Sequence, residues 1–243
     1  MDSVAPPPDD HRRVEVLGSL AALRARLVDA ATSAGRDPHA VTLIAVTKSF
    51  PAADVAAVLG LGVCDLGESR DQEVRAKIAE LGPTATAARW HFVGRLQTNK
   101  CRSIAGYAHA VHSVDRIEVA DALAGAVARL DRPPLEVFVQ LSLDGDPARG
   151  GVPADGVAAL ADRVATRDGL RLAGLMAVAP MGADPAVAFA ALARESALLR
   201  RAHPGAVGIS AGMSQDFELA VKSGATHVRV GSALLGRRRA SVG

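Results

Sequence analysis

The sequence predicts a single (β/α)8 barrel, the TIM barrel of the α/β class. Apolar strand-like runs alternate eight times with helical segments, and the 243 residues come close to the roughly 250 typical of such a barrel. An open dinucleotide-binding sheet would carry G-x-G-x-x-G after its first strand, where this chain has Thr47, Lys48 and Ser49. No linker divides the chain into two domains.

The elements follow from local patterns taken in chain order. Residues 1–10 are proline-rich and acidic, and we expect a disordered leader before a barrel domain over 11–243. Apolar residues recur at helical spacing over 14–34, and the β-branched run over 42–51 indicates a buried parallel strand. Asp115 is placed to cap the helix over 115–130. The later strands are predicted over 63–66, 90–93, 108–114, 135–143, 170–178, 206–209 and 226–230. The other helices are predicted over 52–59, 69–81, 96–104, 157–166, 185–202 and 214–223.

The composition narrows the class of protein. With 49% hydrophobic and 22% charged residues, the chain suits a soluble globular protein with a large core. A net charge of +2 from scattered basic residues, with 3% aromatic residues, favours neither nucleic acid nor an anionic membrane as partner. No apolar run reaches the roughly 20 residues that span a bilayer. The two cysteines lack a metal-ligand spacing and a secretory leader, which indicates a cytoplasmic location. The arginine run at 237–239 is interpreted as a solvated tail.

Lys48 stands where the first strand ends, at the mouth of an apolar core. Desolvation disfavours the ammonium form and lowers the pKa of an amine in such a place, which makes the amine nucleophilic. Lysines of this kind form Schiff bases with carbonyl substrates or with pyridoxal phosphate. A lysine that merely extends to solvent from a strand end is the alternative, and this stretch alone leaves both interpretations open.

Two loops late in the chain predict a phosphate site. Barrels place active residues at the carboxyl ends of their strands and commonly bind phosphate after strands seven and eight. These loops read Ser210-Ala-Gly-Met-Ser214 and Gly231-Ser232, and they offer hydroxyls, close backbone approach and free amides. Ser214 or Asp216 is placed to cap the helix that follows. Two ordinary turns have a similar composition, so that interpretation stays open as well.

Arg229 is predicted to point into the barrel near the phosphate loops. Period-two alternation puts His227, Arg229 and Gly231 on one face of the last strand. A buried arginine needs a partner, which a ring nitrogen, a phosphate or, alternatively, an internal carboxylate would supply. With the amine and the phosphate loops, this arginine completes the parts of a pyridoxal phosphate site. An arginine at the pyridine nitrogen leaves that nitrogen unprotonated, which limits carbanion chemistry.

Seven segments from the first strand to the last carry a family resemblance: 43–48 (LIAVTK), 66–68 (LGE), 90–94 (WHFVG) with LQ at 96–97 and NK at 99–100, 112–115 (HSVD), 174–176 (GLM), 212–214 (GMS) with Asp216, and 228–231 (VRVG). In these segments the chain resembles the pyridoxal phosphate homeostasis proteins, which look like a free-standing N-terminal barrel of alanine racemase. The resemblance implies that Lys48 carries the cofactor as a Schiff base and that Arg229 faces the pyridine nitrogen. It implies that the cofactor is also contacted by His91, Met176, Ser210, Gly212, Met213, Ser214, Gly231 and Ser232.

Three serines depart from the family pattern. Ser69 and Ser142 stand where the family usually has asparagine, and Ser232 replaces the more common threonine while keeping its hydroxyl. Three further residues are open to a second interpretation. His91 fits a hydrogen-bonded residue at a strand end, Met176 fits core packing, and Glu68 is either a pocket residue or a neighbour of a helix N-cap.

The resemblance implies a protein of pyridoxal phosphate homeostasis that holds the cofactor reversibly, without substantial turnover, and we expect no metal. With no second domain to build a large interface, we expect a monomer. Apo forms of pyridoxal phosphate enzymes are the candidate recipients. The alternative is an amino acid racemase, with residual activity of that kind left open. Such a racemase uses a tyrosine from a second domain, whereas the one tyrosine here, Tyr107, precedes strand four. A lysine aldolase acting on a sugar phosphate is a third possibility, but the lysine lies on the wrong strand for it.

Overall fold

The computed structural model describes residues 10–236, and in it the strands close into one parallel barrel in chain order. The strands are β1 (Thr42–Val46), β2 (Asp65–Glu68), β3 (Arg89–Phe92), β4 (Ala108–Val114), β5 (Leu135–Gln140), β6 (Leu170–Met176), β7 (Gly208–Ser210) and β8 (His227–Val230). The closing pair joins β8 to β1, with Arg229 opposite Ile44. The predicted barrel is therefore confirmed.

A helix follows each strand, and one more precedes the barrel. They are α1 (Asp10–Ser33), α2 (Ala52–Gly60), α3 (Asp71–Leu81), α4 (Cys101–Ala105), α5 (Ile117–Val127), α6 (Val157–Ala165), α7 (Pro185–Ala202), α8 (Phe217–Lys222) and α9 (Ser232–Leu235). Short 3-10 turns cover Pro38–Ala40, Gly82–Ala87, Thr98–Lys100 and Ala154–Gly156. Within residues 10–236, none of the helices has both the length and the apolar character of a membrane span.

Several predicted boundaries differ from the observed ones. The first helix begins at Asp10, inside the predicted leader, while the rest of that leader and the arginine run lie outside the described residues. The predicted helix over 96–104 is a 3-10 turn followed by the short α4. The prediction that Asp115 caps a helix is wrong, because α5 begins after Arg116 and the Asp115 carboxylate accepts from the Arg116 guanidinium at 2.6 Å.

The core has two parts separated by the sheet. The larger part fills the space between the strands and the outer helices. Inside the barrel, a small apolar cluster consists of Ala110, Phe138, Ala173 and Met176. Barrel interiors are commonly filled by layers of branched apolar side chains. Here much of the interior is polar instead, and its buried groups include His91, His112, Ser210 and Arg229.

The first helix packs against the last elements of the chain. Arg12 of α1 donates to the carbonyl oxygen of Leu235 at 2.9 Å and to the carboxylate of Asp54 at 2.7 Å. Farther along α1, the guanidinium of Arg26 lies 4.7 Å from the centre of the Phe217 ring. These contacts join α1 to α2, α8 and α9 and complete the outer layer of helices.

Candidate functional site

Lys48 lies in a tight turn directly after β1, at the carboxyl end of the barrel. The N–H of Phe50 donates to the carbonyl oxygen of Thr47 at 3.0 Å and closes a four-residue turn around Lys48 and Ser49. Ser49 has φ 66°, a left-handed conformation that a serine keeps only where its surroundings impose it. Its N–H donates to a carboxylate oxygen of Glu73 at 2.9 Å. The turn therefore fixes the direction in which the chain presents Lys48.

A second lysine, Lys77, occupies the desolvated position that the sequence argument gave to Lys48. The Lys48 side chain is exposed, whereas the Lys77 amine is buried and donates to the Thr47 carbonyl oxygen at 2.7 Å and to Glu68 at 2.5 Å. The Thr47 hydroxyl donates to the same Glu68 oxygen at 2.6 Å. Burial raises the pKa of Glu68, an effect that Lys77 and Thr47 oppose. Glu68 is thus buried and anchors the turn beneath Lys48.

A cavity of about 610 Å³ opens beside Lys48 and brings together most of the predicted site residues. This volume lies within the roughly 300–1,000 Å³ of small-molecule sites. The predicted residues that line it are Lys48, Met176, Met213, Ser214, Arg229, Gly231 and Ser232. Further lining residues, which sequence reasoning missed, are Val46, Phe50, Val93, Val178, Gln215, Asp216 and Gly236. We call this space the upper cavity.

The loops after β7 and β8 form one side of the upper cavity, and the second of them lies next to the end of β1, where a Cβ at Gly231 would be 3.1 Å from the Val46 carbonyl oxygen. Within residues 10–236, the backbone N–H groups of Ser214, Gln215 and Ser232 have no acceptor, so they are free to bind a ligand. Asp216 occupies the N-cap position of α8, as predicted, but its side chain makes no capping hydrogen bond. The Ser214 hydroxyl instead accepts from the N–H of Ala233 at 3.2 Å, and it thereby ties the two loops together.

Gly212 shapes the first loop without lining the upper cavity. Its φ is 85°, and a Cβ at this position would lie 2.7 Å from both the Ala220 Cβ and the Phe217 Cα. Only glycine fits such a combination of left-handed backbone and close approach. The neighbouring N–H of Met213 donates to the Asp216 carboxylate at 2.6 Å, which keeps the loop folded back on itself.

Arg229 reaches the upper cavity from inside the barrel and is 5% exposed. Its guanidinium donates to the Ser210 hydroxyl at 2.6 Å and to the carbonyl oxygen of Ala177 at 3.0 Å. Burial lowers the pKa of Arg229 to about 10, so it remains a cation at neutral pH. No carboxylate within residues 10–236 forms an ion pair with it, but the charge of Asp216, which lines the same cavity, acts on Arg229 through space and opposes the lowering of its pKa.

Two predicted contacts, His91 and Ser210, are not brought to the upper cavity. His91 lies on β3 between Asp65 and His112, and it lines a second cavity of about 580 Å³ at the amino-terminal end of the barrel, the lower cavity. Its strand position turns its ring into the core below the carboxyl end. Ser210 is fully buried, and its hydroxyl is bound by His112 and Arg229.

Two of the three departures from the family pattern, Ser69 and Ser142, lie away from the upper cavity, whereas the third, Ser232, lines it. Ser69 lines a separate surface cavity near Arg70. The Ser142 hydroxyl accepts from the N–H of Gly145 at 3.0 Å within its own loop. Both serines therefore serve their local segments, and neither lines the space beside Lys48.

Comparisons with known proteins agree with this geometry. The model of the alanine racemase N-terminal domain family matches residues 18–239. A Mycobacterium leprae protein named pyridoxal phosphate homeostasis protein is 44% identical over 244 residues, which cover 94% of this chain and 95% of that protein.

Two solved structures define how far the likeness extends. PipY of Synechococcus elongatus PCC7942, solved with PLP bound, aligns with a TM-score of 0.80 at 33% identity and covers 91% of this chain and 100% of PipY. Alanine racemase from Corynebacterium glutamicum aligns with a TM-score of 0.61 at 16% identity, over 88% of this chain but 60% of the racemase chain. The second likeness concerns the fold alone.

Proposed function

The chain belongs to the pyridoxal phosphate homeostasis protein family, whose barrel matches the N-terminal domain of alanine racemase, and we propose that it binds pyridoxal 5'-phosphate in the upper cavity. We further propose that it holds the cofactor covalently through Lys48 and serves as a store of it without substantial turnover. The cofactor bound to PipY and the names of the curated relatives support the first part. Lys48, Arg229 and the other residues that line the upper cavity support the second part, covalent storage without substantial turnover.

The observation that carries the proposal is the guanidinium of Arg229. Two of the five N–H donors of this buried cation bind Ser210 and Ala177, and no carboxylate among the described residues forms an ion pair with it. Arg229 can therefore donate to an acceptor on a ligand, which would reduce the cost of burying its charge. Arg229 shares the upper cavity with the amine of Lys48 and the free N–H groups of Ser214 and Ser232. A ligand with an aldehyde, a basic ring nitrogen and a phosphate matches these three features.

Each group of the site then has a role. Pyridoxal phosphate supplies an aldehyde carbon, which a lysine amine attacks with loss of water. Lys48 provides that amine on a turn fixed from below by Lys77 and Glu73. The N–H groups and hydroxyls of the Ser214 and Ser232 loops bind the phosphate, and Met176 packs against the ring.

The same residues argue against rapid turnover. A guanidinium is a donor without an acceptor, so Arg229 holds the pyridine nitrogen as an unprotonated acceptor and limits stabilisation of a carbanion. Racemisation requires a second base across the ring from the lysine. Among the described residues lining the upper cavity, the other side chain that could accept a proton is Asp216, and one of its oxygens is held by the N–H of Met213.

The visible absorption spectrum of purified protein, recorded with added pyridoxal phosphate before and after borohydride reduction, tests the covalent linkage. We expect a yellow protein whose band disappears on reduction and whose trapped label maps to the peptide containing Lys48. Lys48→Ala should abolish both results. Lys222→Ala, which removes an exposed lysine of α8, should change neither. A colourless protein, or a label that persists in Lys48→Ala, would overturn the proposal.

The racemase alternative is tested separately with L-alanine as substrate. We expect no conversion to D-alanine above that of free pyridoxal phosphate. Conversion that Lys48→Ala abolishes would replace the storage function with catalysis. Transfer is tested by mixing the loaded protein with an apo form of a pyridoxal phosphate enzyme, whose activity should return at the rate at which this protein loses its band.

A further inference from the structure

A continuous chain of hydrogen bonds crosses the barrel interior from the lower cavity to Arg229. The first contact joins an Asp65 oxygen and His91 Nε2 at 2.9 Å. His91 Nδ1 lies 2.9 Å from His112 Nε2, and His112 Nδ1 lies 2.8 Å from the Ser210 hydroxyl. Arg229 donates to that hydroxyl at 2.6 Å. Five side chains from β2, β3, β4, β7 and β8 thus connect the two ends of the barrel.

The two charged ends give the chain one direction. Arg229 can only donate, so the Ser210 oxygen must accept from it. At the other end, burial acts to raise the pKa of Asp65, but hydrogen bonds from Arg89 and His91 outweigh burial and lower the pKa below its usual range. Asp65 is therefore a carboxylate that accepts, and His91 must carry a proton on Nε2.

The middle of the chain follows from these ends. Burial holds the pKa of His112 well below its ordinary value, so this ring is neutral and carries one proton. The Ser210 proton has an acceptor in this series only if His112 Nδ1 is unprotonated, which places the single proton of His112 on Nε2, where His91 Nδ1 accepts it. The remaining His112 nitrogen then accepts the hydroxyl proton of Ser210. Every donor and acceptor along the chain is paired in this arrangement, as burial demands.

We propose that Asp65, His91 and His112 are positioning residues, which orient the Ser210 hydroxyl so that its oxygen stays available to Arg229. If His112 carried its proton on Nδ1, Ser210 would accept from both neighbours and its own proton would have no partner in the chain. The guanidinium would then share its acceptor with the imidazole. The role of Arg229 toward a ligand rests on the proposed function, whereas the direction of the hydrogen bonds from Asp65 to Arg229 does not.

A stacked ring supports this role for His112. Phe138 lies parallel to the His112 ring, with centroids 4.3 Å apart and an interplanar angle of 10°. Both side chains are fully buried. Stacking fixes the plane of the imidazole, so its two nitrogens remain aligned with His91 on one side and Ser210 on the other.

Nitrogen-15 NMR of the histidine rings in cofactor-free protein tests the direction directly. We expect His91 and His112 to show the neutral form protonated on Nε2 at pH 7. A proton on Nδ1 of either ring would overturn the proposal. Because this measurement uses no cofactor, its outcome is independent of whether the protein binds pyridoxal phosphate.

Variants in the lower cavity test the coupling to Arg229. Asp65→Asn removes the charge that fixes the chain, so we expect the His112 signals to shift and pyridoxal phosphate to dissociate roughly five- to tenfold more readily, the equivalent of about one hydrogen bond. Glu136→Gln is the matched control. Glu136 lines the same cavity, but it pairs with Arg171, which takes no part in the hydrogen bonds from Asp65 to Arg229. Equal effects of the two variants, or unchanged His112 signals in Asp65→Asn, would overturn the proposal.

A second variant, Ser210→Ala, provides an independent test in case Asp65→Asn does not fold. Ser210→Ala deletes one small hydroxyl and should shift the His112 Nδ1 signal, because that nitrogen loses its donor. A His112 signal that stays unchanged in Ser210→Ala would also refute the proposed hydrogen bond from Ser210 to His112. Loss of stability in any of these variants, without the change at His112, would show a purely structural role and overturn the positioning role.

Discussion

Replacing Lys77 with methionine should destabilise the protein strongly at neutral pH. The Lys77 and Glu68 side chains are 7% and 1% exposed, and 2.5 Å separates the amine from the nearer carboxylate oxygen. The other Glu68 oxygen has no hydrogen-bond partner among the described residues, so Lys77→Met would leave Thr47 as the main support of a buried charge. Breaking such a pair costs about 3–5 kcal/mol, a large part of the roughly 5–15 kcal/mol that stabilises a typical domain.

The loss should depend on pH in a defined direction. Burial already raises the pKa of Glu68, and removal of the Lys77 cation would raise it further. A carboxyl whose pKa is raised by folding destabilises the protein as the pH rises above the unfolded value of about 4.3. The difference between wild type and Lys77→Met should therefore be largest at pH 7 and smaller at pH 5.

Urea unfolding followed by circular dichroism at both pH values provides the measurement. The double variant Lys77→Met with Glu68→Gln should recover most of the lost stability, because it removes both charges. Lys222→Met, an exposed control, should stay within about 0.5 kcal/mol of wild type. A loss below about 1 kcal/mol in Lys77→Met at pH 7, or a double variant no better than the single one, would refute the reasoning.

Two further predictions concern the stability contributed by Gly212 and the dependence of stability on the protonation of His227. Gly212→Ala should cost about 1–3 kcal/mol of unfolding free energy, because its Cβ would meet Phe217 and Ala220 at a positive φ. Gly125→Ala in α5, where nothing lies within 4 Å, should be neutral or stabilising in the same assay. Burial lowers the pKa of His227 to about 4, so the unfolded chain takes up this proton first and wild type loses stability as the pH falls from about 6.5 to about 4. His227→Gln should flatten that decline in the melting temperature, and parallel profiles for the two proteins would contradict the assignment.

The fold was predictable because its determinants are local. Apolar β-branched runs of four to eight residues and the helices between them recur with regular spacing, and a parallel barrel needs little more information. The long helix α7 was predicted with its observed bounds, Pro185–Ala202. The short α9 was missed, because four residues after a Gly-Ser turn carry no helical periodicity.

The candidate site was predictable only where position along a strand determines it. Lys48 follows β1, and Arg229 shares a face of β8 with Gly231, so both were expected in the upper cavity and both line it. Lys77 was missed, because its partners lie on β2 and in the turn after β1, and no sequence spacing reports such a long-range pair. His91 was expected there from the resemblance, yet its ring lies in the core, where three-dimensional packing decides its partners.

Because α1 packs against α8 and α9, the outer layer of the barrel can be completed only late in synthesis. Residues 10–33 are synthesised before any strand of the barrel, but α8 and α9, which cover part of their surface, are synthesised after β7 and β8. The edge of β1 that pairs with β8 likewise stays unpaired until β8 has been synthesised. Because these contacts span most of the chain, ring closure is a late, long-range event with a high entropic barrier. A nascent chain paused before β8 would expose the apolar side of α1 and an open strand edge, and it would be a natural client for chaperones.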